Sequence, residues 1–169
     1  LRCSNTALAR YRMSVDEILD TADNAIRKLG FRALVLQSGE DDYYTDEILV
    51  RIVKKIMTET PVLLFMSIGE RPPESYRRLY DAGARGVLLR FETSSPEIYS
   101  YVRPGHRLDD RLNLLRELKS MGYLIISGFL IGLPGQNEKT LAKDIETTHS
   151  LGAEMFSFCL LYTSDAADE

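Results

Sequence analysis

The stretch ALVLQSGEDDYYTDEILVRIVKKIMTETPVLLFMSIGE, residues 33–70, contains the pattern that decides the fold. It begins with a short Leu- and Val-rich run, continues with an amphipathic segment at 46–58, and ends with a second apolar run at 62–67. Short apolar runs bounded by turn residues are typical of buried strands, whereas apolar positions at helical spacing indicate a helix. The stretch therefore predicts a strand, a helix and a second strand parallel to the first.

The same alternation of strand and helix continues on both sides of this stretch. Ser14 and Glu17 form a capping-box pattern that starts a first helix, and Gly30 ends it. Further strands are predicted at 87–91, 124–130 and 155–158, and further helices at 74–82, 95–102, 108–121 and 137–151. Strands joined by helices in this way build either an open doubly wound sheet or a parallel barrel.

The glycines favour one of these two folds. A doubly wound dinucleotide-binding fold places GxGxxG directly after its first strand, and this sequence has no such set. We therefore predict an α/β fold in which about five to six strands form part of a parallel (β/α) barrel of the TIM type. One domain is expected over residues 1–158, with no linker and no second domain.

The two ends of the chain differ from the rest. Residues 159–169, CLLYTSDAADE, resemble the translation of a transposase adapter sequence used in shotgun sequencing libraries, and the chain starts at Leu1 rather than at Met. We interpret 159–169 as a non-native tail and exclude it from the predicted fold. The remainder is expected to be a piece of a longer protein.

Composition and charge exclude several classes of function. The 169 residues are 44% hydrophobic and 27% charged, which is typical of a soluble globular domain. With 21 basic against 25 acidic side chains, no basic surface for nucleic acid is expected. The most apolar stretch, 123–133, is shorter than the roughly 20 apolar residues that a membrane span requires. Cys3 and Cys159 alone cannot form a disulfide framework, so we expect a reducing cytoplasm.

Glutamates follow three consecutive strands of the predicted sheet, namely Glu40, Glu70 and Glu92. Reactive groups of parallel α/β proteins lie at the carboxyl ends of the strands, so these carboxylates are expected to meet at one mouth. There they would bind an ammonium group, a cationic centre or a proton in transit. The alternative is that each acidic side chain only caps a helix or faces its amino-terminal dipole.

A glycine-rich loop, GFLIGLPGQNEKT at 128–140, follows the fourth predicted strand. Its glycines permit a close approach of the backbone to a ligand. The loop is not a phosphate-binding P-loop, because Glu138 rather than glycine precedes Lys139 and Thr140. His106 lies in another loop, and we interpret it as a surface residue rather than as a ligand.

Six sequence blocks resemble a known family. They are RYRMSVDEI (10–18), LQSGEDDYY (36–44), SIGE (67–70), LLRFET (88–93), VRPGHRLDDRLN (102–113) and GLPGQ (132–136). In this order and spacing they resemble the FeFe-hydrogenase maturases of the biotin-synthase-like branch of the radical SAM superfamily. The resemblance covers essentially the whole chain outside the interpreted tail.

The resemblance implies two cofactors, S-adenosylmethionine and a 4Fe-4S cluster. In the family a CxxxCxxC motif holds three irons and is followed by Gly-Leu-Arg, whereas this chain begins with Leu1 and Arg2. The cluster cysteines would therefore lie before Leu1, and neither Cys3 nor Cys159 is one of them. Accordingly, no metal ligand and no catalytic residue is assigned within the chain, and the chain alone is expected to be inactive.

The resemblance assigns the methionine end of S-adenosylmethionine to five positions, Ser38, Gly39, Glu40, Glu92 and Arg111. A carboxylate for an ammonium group and a guanidinium for a carboxylate are the physically required partners. Glu92 and Arg111 are therefore expected to face one pocket, covered by the loop at 102–107. The alternative is a plain ion pair between these two side chains.

Two further groups of residues are implied in the same way. The strand whose backbone faces the adenine is matched by Leu130, Ile131 and Gly132. The interior where the substrate enters would be lined by Gln37, Ser67 and Glu70.

The family chemistry is reduction of the sulfonium by the cluster's electron, which releases methionine and a 5′-deoxyadenosyl radical. The radical reacts with an iron-containing precursor of the hydrogenase active site. The implied partners are a small iron-containing or amino-acid-derived substrate, an electron donor and possible further hydrogenase maturases, with no nucleic acid and no membrane.

Two alternatives remain open at this point. Methylornithine synthase, of the same branch, shares the RYRM-like and GED-like blocks but resembles GLPGQ and SIGE less well. A cluster-free barrel that binds or isomerises a small metabolite is motivated by the presence of only two cysteines. Codons for three cysteines with spacing 3 and 2 directly upstream of Leu1 would exclude this second alternative.

Overall fold

The structure, a computed structural model, describes residues 11–161, so Cys3 and residues 162–169 lie outside it. The helices are α1 (Val15–Asp23), α2 (Asp46–Glu59), α3 (Pro73–Ala82), α4 (Pro96–Val102), α5 (Leu108–Ser120) and α6 (Glu138–Ser150). The strands are β1 (Ala33–Gln37), β2 (Leu63–Ser67), β3 (Gly86–Leu88), β4 (Leu124–Ser127), β5 (Leu130–Ile131), β6 (Met155–Phe156) and β7 (Cys159–Leu160). Within this range no helix combines the length and the apolar character needed to cross a membrane.

The main sheet is parallel throughout, with its strands in the order β1-β2-β3-β4-β6. β5 and β7 pair with each other just beyond β4 and β6, again in parallel. A doubly wound sheet would show a reversal of strand order, and this sheet has none. The observed order confirms the predicted α/β class and is that of part of a parallel barrel with five strand positions.

Polar side chains start the helices. The Ser14 hydroxyl accepts the N–H of Glu17 at 3.2 Å, while the Glu17 carboxylate accepts the N–H of Ser14 at 2.7 Å. Thr45 caps α2 and Asn137 caps α6 with a side-chain oxygen that accepts from the first turn. These caps satisfy N–H groups that have no partner within their own helix.

The first helix differs from the sequence prediction near its end. α1 ends at Asp23, and a π-helical turn, Asn24–Lys28, replaces the continuous α-helix predicted up to Gly30. The N–H of Leu29 bonds to the carbonyl of Asn24, five residues earlier, and this wider spacing defines the turn.

The core lies between the sheet and the helices. Because side chains alternate across a strand, Leu64, Met66, Val87 and Ile125 all lie on one face of the sheet. They are fully buried in one cluster with apolar residues of α2, α3 and α5. The opposite face is more open, and Val35 on β1 is 46% exposed there. The packed face holds the strands in place, so that their carboxyl ends form one edge.

The predicted strand at 124–130 is interrupted in the structure, because β4 ends before β5 begins. The carbonyl of Gly128 accepts two N–H groups from the segment that follows β3. The N–H of Phe91 donates to it at 3.0 Å and the N–H of Glu92 at 3.2 Å. Two residues of one strand thus face one residue of the next, as in a β-bulge. The irregular pairing separates the two short strands and bends the chain at Glu92.

Gly128 also permits a close backbone contact across the sheet. A Cβ atom at this position would lie 2.1 Å from the carbonyl oxygen of Ser157, which lies in the segment between β6 and β7. The obstacle is backbone rather than a flexible side chain, so only a shift of the strand could relieve it. The position is therefore closed to any larger residue.

Gly128→Ala is expected to lower the free energy of unfolding by roughly 1–3 kcal/mol, because the added methyl group overpacks this strand contact. Urea denaturation followed by circular dichroism measures the change. Glu146→Ala, at an exposed position of α6, is the control and should change stability by less than about 0.5 kcal/mol. Equal stability of the two variants would contradict the close contact.

Candidate functional site

The loops after the first two strands are joined at the carboxyl edge of the sheet. β1 and β2 pair in register up to Gln37 and Ser67, so the residues that follow them emerge side by side. The N–H of Glu70 donates to Oε1 of Glu40 at 3.3 Å. The carboxylates predicted at these two strand ends therefore lie close together.

Arg111, in the first turns of α5, is buried among these carboxylates. Its Nη1 donates to Oε1 of Glu70 at 2.8 Å and lies 3.9 Å from Oε1 of Glu40. Its Nε donates to the carbonyl of Arg90 at 2.9 Å. A buried guanidinium requires such partners, because an unpaired buried charge is strongly destabilising. Arg111 thus balances the charge of Glu70 and ties α5 to the end of β3.

The connection between α4 and α5 supplies two further polar side chains. Nη2 of Arg103 donates to Oε1 of Glu40 at 2.6 Å, and Nδ1 of His106 lies 3.0 Å from Oε2 of Glu70. His106 is exposed, as expected for a loop residue, but it also contacts the site. We name the mouth cluster by its members, which are Glu40, Glu70, Glu92, Arg103, His106 and Arg111.

The position of Glu40 depends on a glycine in the neighbouring loop. A Cβ atom on Gly69, whose φ is +76°, would lie 2.1 Å from Cγ of Glu40. Burial raises the pKa of the Glu40 carboxyl, but the hydrogen bond and the charge of Arg103 outweigh burial and hold that pKa below its ordinary value. Glu40 is therefore an ionised group with an established cationic partner.

Glu92 differs from the other two glutamates, because it has a buried carboxylate oxygen with no hydrogen-bond partner among the described residues. Oε2 is buried and forms no hydrogen bond within residues 11–161. The backbone φ of Glu92 is +70°, a conformation that costs about 1–3 kcal/mol for a residue other than glycine. Burial raises the pKa of the carboxyl, against the charges of Arg90 and Arg111. A strained residue with an unsatisfied buried acceptor is typical of a ligand site.

The backbone of Glu92 also joins a second predicted segment. The N–H of Leu130 donates to the carbonyl of Glu92 at 2.9 Å. Two residues further on, Gly132 has a φ of +97° and donates its N–H to Oε1 of Gln136 at 2.7 Å. The structure therefore places the backbone of Leu130 against the backbone of Glu92, the residue whose buried Oε2 has no partner among residues 11–161.

The predicted site residues do not all lie in one group. Glu40, Glu70 and Arg111 contact one another in the mouth cluster, and the Ser38 hydroxyl donates to the carbonyl of Gly39 at 2.9 Å. Gln37 and Ser67 are register partners on β1 and β2, whereas the Glu70 side chain lies with the cluster. The alternative ion pair between Glu92 and Arg111 is absent from the described residues, because Arg111 pairs with Glu70.

Sequence reasoning missed Arg103 and Tyr99 as parts of this site. Besides the contact of Arg103 with Glu40, the Tyr99 hydroxyl donates to Oε1 of Glu70 at 3.3 Å. The available signal was their position between β3 and Arg111, with Tyr99 on α4 and Arg103 in the loop that follows α4. The sequence predicts only that this loop covers the pocket.

The charges at the mouth fit a zwitterionic ligand. The free oxygen of Glu92 can accept from an ammonium group, and the guanidinium groups of Arg103 and Arg111 can donate to a carboxylate. The described residues do not fit a metal cluster, since they contain no group of three His, Cys, Asp or Glu side chains placed to hold a metal ion. Cys159 is exposed and free.

The fold and the site define a class of protein. A family model described as the Radical SAM superfamily matches residues 3–148. The chain belongs to the radical SAM superfamily, whose members use S-adenosylmethionine and a 4Fe-4S cluster. The predicted radical SAM superfamily and the two cofactors of its members are thereby confirmed.

Three individual proteins illustrate the similarity. The "[FeFe] hydrogenase maturase subunit HydE" of Thermotoga maritima is 41% identical over 145 residues, which are 86% of this chain and 41% of that protein. The "3-methylornithine synthase" of Methanosarcina acetivorans is 32% identical over 141 residues, covering 82% of this chain and 40% of that protein. A crystal structure of methylornithine synthase (PylB) superimposes with a TM-score of 0.87 and 26% identity, covering 95% of this chain and 47% of that one.

These comparisons bear on the fold and on the extent of the chain. The solved structure matches nearly the whole chain, which confirms the predicted barrel type. The chain spans about two fifths of the length of the two curated relatives.

Arg111→Ala is expected to lower the free energy of unfolding by about 2–3 kcal/mol, because it leaves the Glu70 carboxylate without its buried partner. Chemical denaturation measures the loss. Arg107→Ala is the matched control, since Arg107 is exposed and lies 3.7 Å from Asp109, so less than about 1 kcal/mol should be lost. Similar losses in both variants would show that the buried pairing contributes little.

Proposed function

We propose that the chain binds S-adenosylmethionine at the mouth cluster and forms part of a radical SAM enzyme that acts in assembly of the FeFe-hydrogenase active site. The observation that carries the binding proposal is the buried Oε2 of Glu92, which lacks a partner among residues 11–161. Family membership and the 41% identity to the Thermotoga maritima maturase subunit support the function.

The proposed binding roles follow from charge. Glu92 accepts the ammonium group of the methionine moiety, together with the Ser38–Glu40 loop, and Arg111 donates to its carboxylate. The guanidinium of Arg111 is oriented for this role by its bonds to Glu70 and to the carbonyl of Arg90. The backbone of Leu130–Gly132 lies alongside the adenine. Each charge-assisted contact contributes roughly 1.5–3 kcal/mol when shielded from water.

The proposed reaction divides the work between cofactors and protein. When bound, S-adenosylmethionine and the cluster supply reductive cleavage of the sulfonium to methionine and a 5′-deoxyadenosyl radical. The residues of this chain bind and orient one end of the cofactor and exclude water from it. Gln37 and Ser67, side by side on β1 and β2, would line the path of a small iron-containing or amino-acid-derived substrate.

A second candidate function is synthesis of 3-methylornithine. The similarity to the Methanosarcina acetivorans enzyme and the TM-score of 0.87 to a methylornithine synthase structure favour it. The higher identity to the hydrogenase maturase subunit favours the first candidate. Both candidates use the same proposed cofactor site, so the mouth cluster does not discriminate between them.

Glu92→Gln tests the proposed cofactor site. In the full-length gene product that contains this chain, the change removes the carboxylate charge and should weaken S-adenosylmethionine binding about tenfold or more. Binding to the unaltered protein should strengthen as pH rises through the raised pKa of Glu92, because only the ionised carboxylate attracts the ammonium group. The Gln variant should lack this pH dependence.

Titration calorimetry measures both effects. Glu146→Gln, at an exposed position on α6, removes the same charge outside the mouth cluster and serves as the control. Unchanged affinity of the Glu92→Gln variant would remove Glu92 from the cofactor site.

Complementation discriminates the two candidate functions. The full-length gene, introduced into a strain that lacks its own HydE-type maturase, should restore FeFe-hydrogenase activity, and the Glu92→Gln gene should not. Failure to restore the hydrogenase, combined with formation of 3-methylornithine in a strain that lacks methylornithine synthase, would establish the second candidate. Hydrogenase and pyrrolysine genes beside the native gene provide an independent check.

A further inference from the structure

Asp144 on α6 is a completely buried carboxyl group outside the mouth cluster. Its Oδ1 accepts the N–H of Ser94 and, at 3.5 Å, the hydroxyl of Thr93, and its Oδ2 accepts a hydrogen bond from Nε2 of Gln136 at 3.2 Å. All three donors are neutral groups. Burial of a carboxylate against neutral donors is costly, and an apolar side chain at this position would avoid that cost. The cost indicates that these contacts have a role.

The first contact of Asp144 fixes the turn that contains Glu92. Ser94 follows Glu92 by two residues, and both Thr93 and Ser94 are buried. The N–H of Thr93 bonds back to the carbonyl of Phe91 at 2.9 Å, so the chain turns tightly here. The hydrogen bond from the N–H of Ser94 to Asp144 therefore helps to hold Glu92 in its strained backbone conformation.

The second contact leads to the segment opposite Glu92. Oε1 of Gln136 accepts the N–H groups of Gly132 at 2.7 Å and Leu133 at 3.2 Å. Its Nε2 donates to the carbonyl of Leu130 at 2.8 Å as well as to Asp144. One amide side chain therefore holds the backbone of 130–133 in a single conformation.

We propose that Asp144 and Gln136 are positioning residues that couple the Glu92 turn to the 130–133 backbone. This inference rests on the proposed function, in which the two segments hold the methionine and adenosine parts of S-adenosylmethionine. The carboxyl group of Asp144 and the amide of Gln136 fix the distance and orientation between the Glu92 turn and the 130–133 backbone. Loss of either side chain therefore misaligns the two segments for a ligand that must contact both.

The chemistry of the two side chains allows the coupling itself to be tested. Asp144→Asn keeps an oxygen for the N–H of Ser94, but it places an amide N–H₂ against Nε2 of Gln136, so two donors face each other. Gln136→Ala removes all contacts of that side chain with 130–133. A double-mutant cycle on S-adenosylmethionine affinity then reports whether Asp144 acts through Gln136.

In the full-length gene product, each single change should weaken S-adenosylmethionine binding about tenfold, as expected for the loss of a coupled contact. The double variant should bind no more than about twofold more weakly than Gln136→Ala alone, because the link is already broken. Gln136→Glu should also weaken binding, since two carboxyl groups then face each other, and Asp144→Asn should rescue it by supplying a donor.

Thr148→Val is the control for a purely structural effect. It removes the hydroxyl that donates to the backbone carbonyl of Asp144 at 2.8 Å, in the same buried part of α6, without touching either segment. We expect a less stable protein whose folded form binds S-adenosylmethionine within about twofold of the unaltered protein. Thermal unfolding measures the stability of every variant in parallel.

Several results would overturn the inference. Effects of Asp144→Asn and Gln136→Ala that multiply, unchanged affinity in both single variants, or no rescue of Gln136→Glu would show that the two residues do not couple the segments. If Asp144→Asn does not fold, Gln136→Ala and Gln136→Glu still decide, because unchanged affinity in both overturns the inference. Failure of the unaltered protein to bind S-adenosylmethionine would overturn the proposed function itself, which is a distinguishable result.

Discussion

The parallel pairing of β1, β2 and β3 is the constraint on which the rest of the site depends. It brings the loops after three strands to one edge of the sheet and so places three glutamates near one another. Neighbouring carboxylates repel one another, and this repulsion is stronger where bulk water is excluded. The chain between β3 and β4 supplies the compensating cations, Arg103 and Arg111, which pair with Glu40 and Glu70.

This charge balance leaves one buried carboxylate oxygen of the mouth cluster without a donor among the described residues. Glu40 and Glu70 are each engaged by a guanidinium, whereas Oε2 of Glu92 is buried without a donor in the described part of the chain. The bulge at Gly128 and the positive φ of Glu92 keep that oxygen at the mouth at a cost in stability. Such a cost is characteristic of binding sites, where stability and function conflict. The buried contacts of Asp144 hold the same turn from the other side.

Much of the local structure could be predicted from the sequence, because local rules determine it. The capping pattern at Ser14 marked a helix start, and the apolar runs marked β1 and β2 closely. The absence of GxGxxG correctly favoured the barrel order. The π-helical turn and the break between β4 and β5 escaped prediction, since both depend on hydrogen bonds whose register is set by tertiary packing.

The site itself could be predicted only in outline. Strand-end position and family resemblance indicated Glu40, Glu92 and Arg111. No sequence pattern shows which carboxylate a given arginine pairs with. Asp144 had no sequence signal, because an acidic residue within an amphipathic helix ordinarily faces solvent. Only burial and its hydrogen-bond partners distinguish it.

The most direct test of the central claim is a crystal structure of the full-length gene product with S-adenosylmethionine bound. The account predicts that the methionine ammonium group donates to Oε2 of Glu92, at a distance of about 2.7–2.9 Å for a charge-assisted hydrogen bond. A structure in which S-adenosylmethionine is bound and Oε2 of Glu92 makes no contact with it would contradict the account.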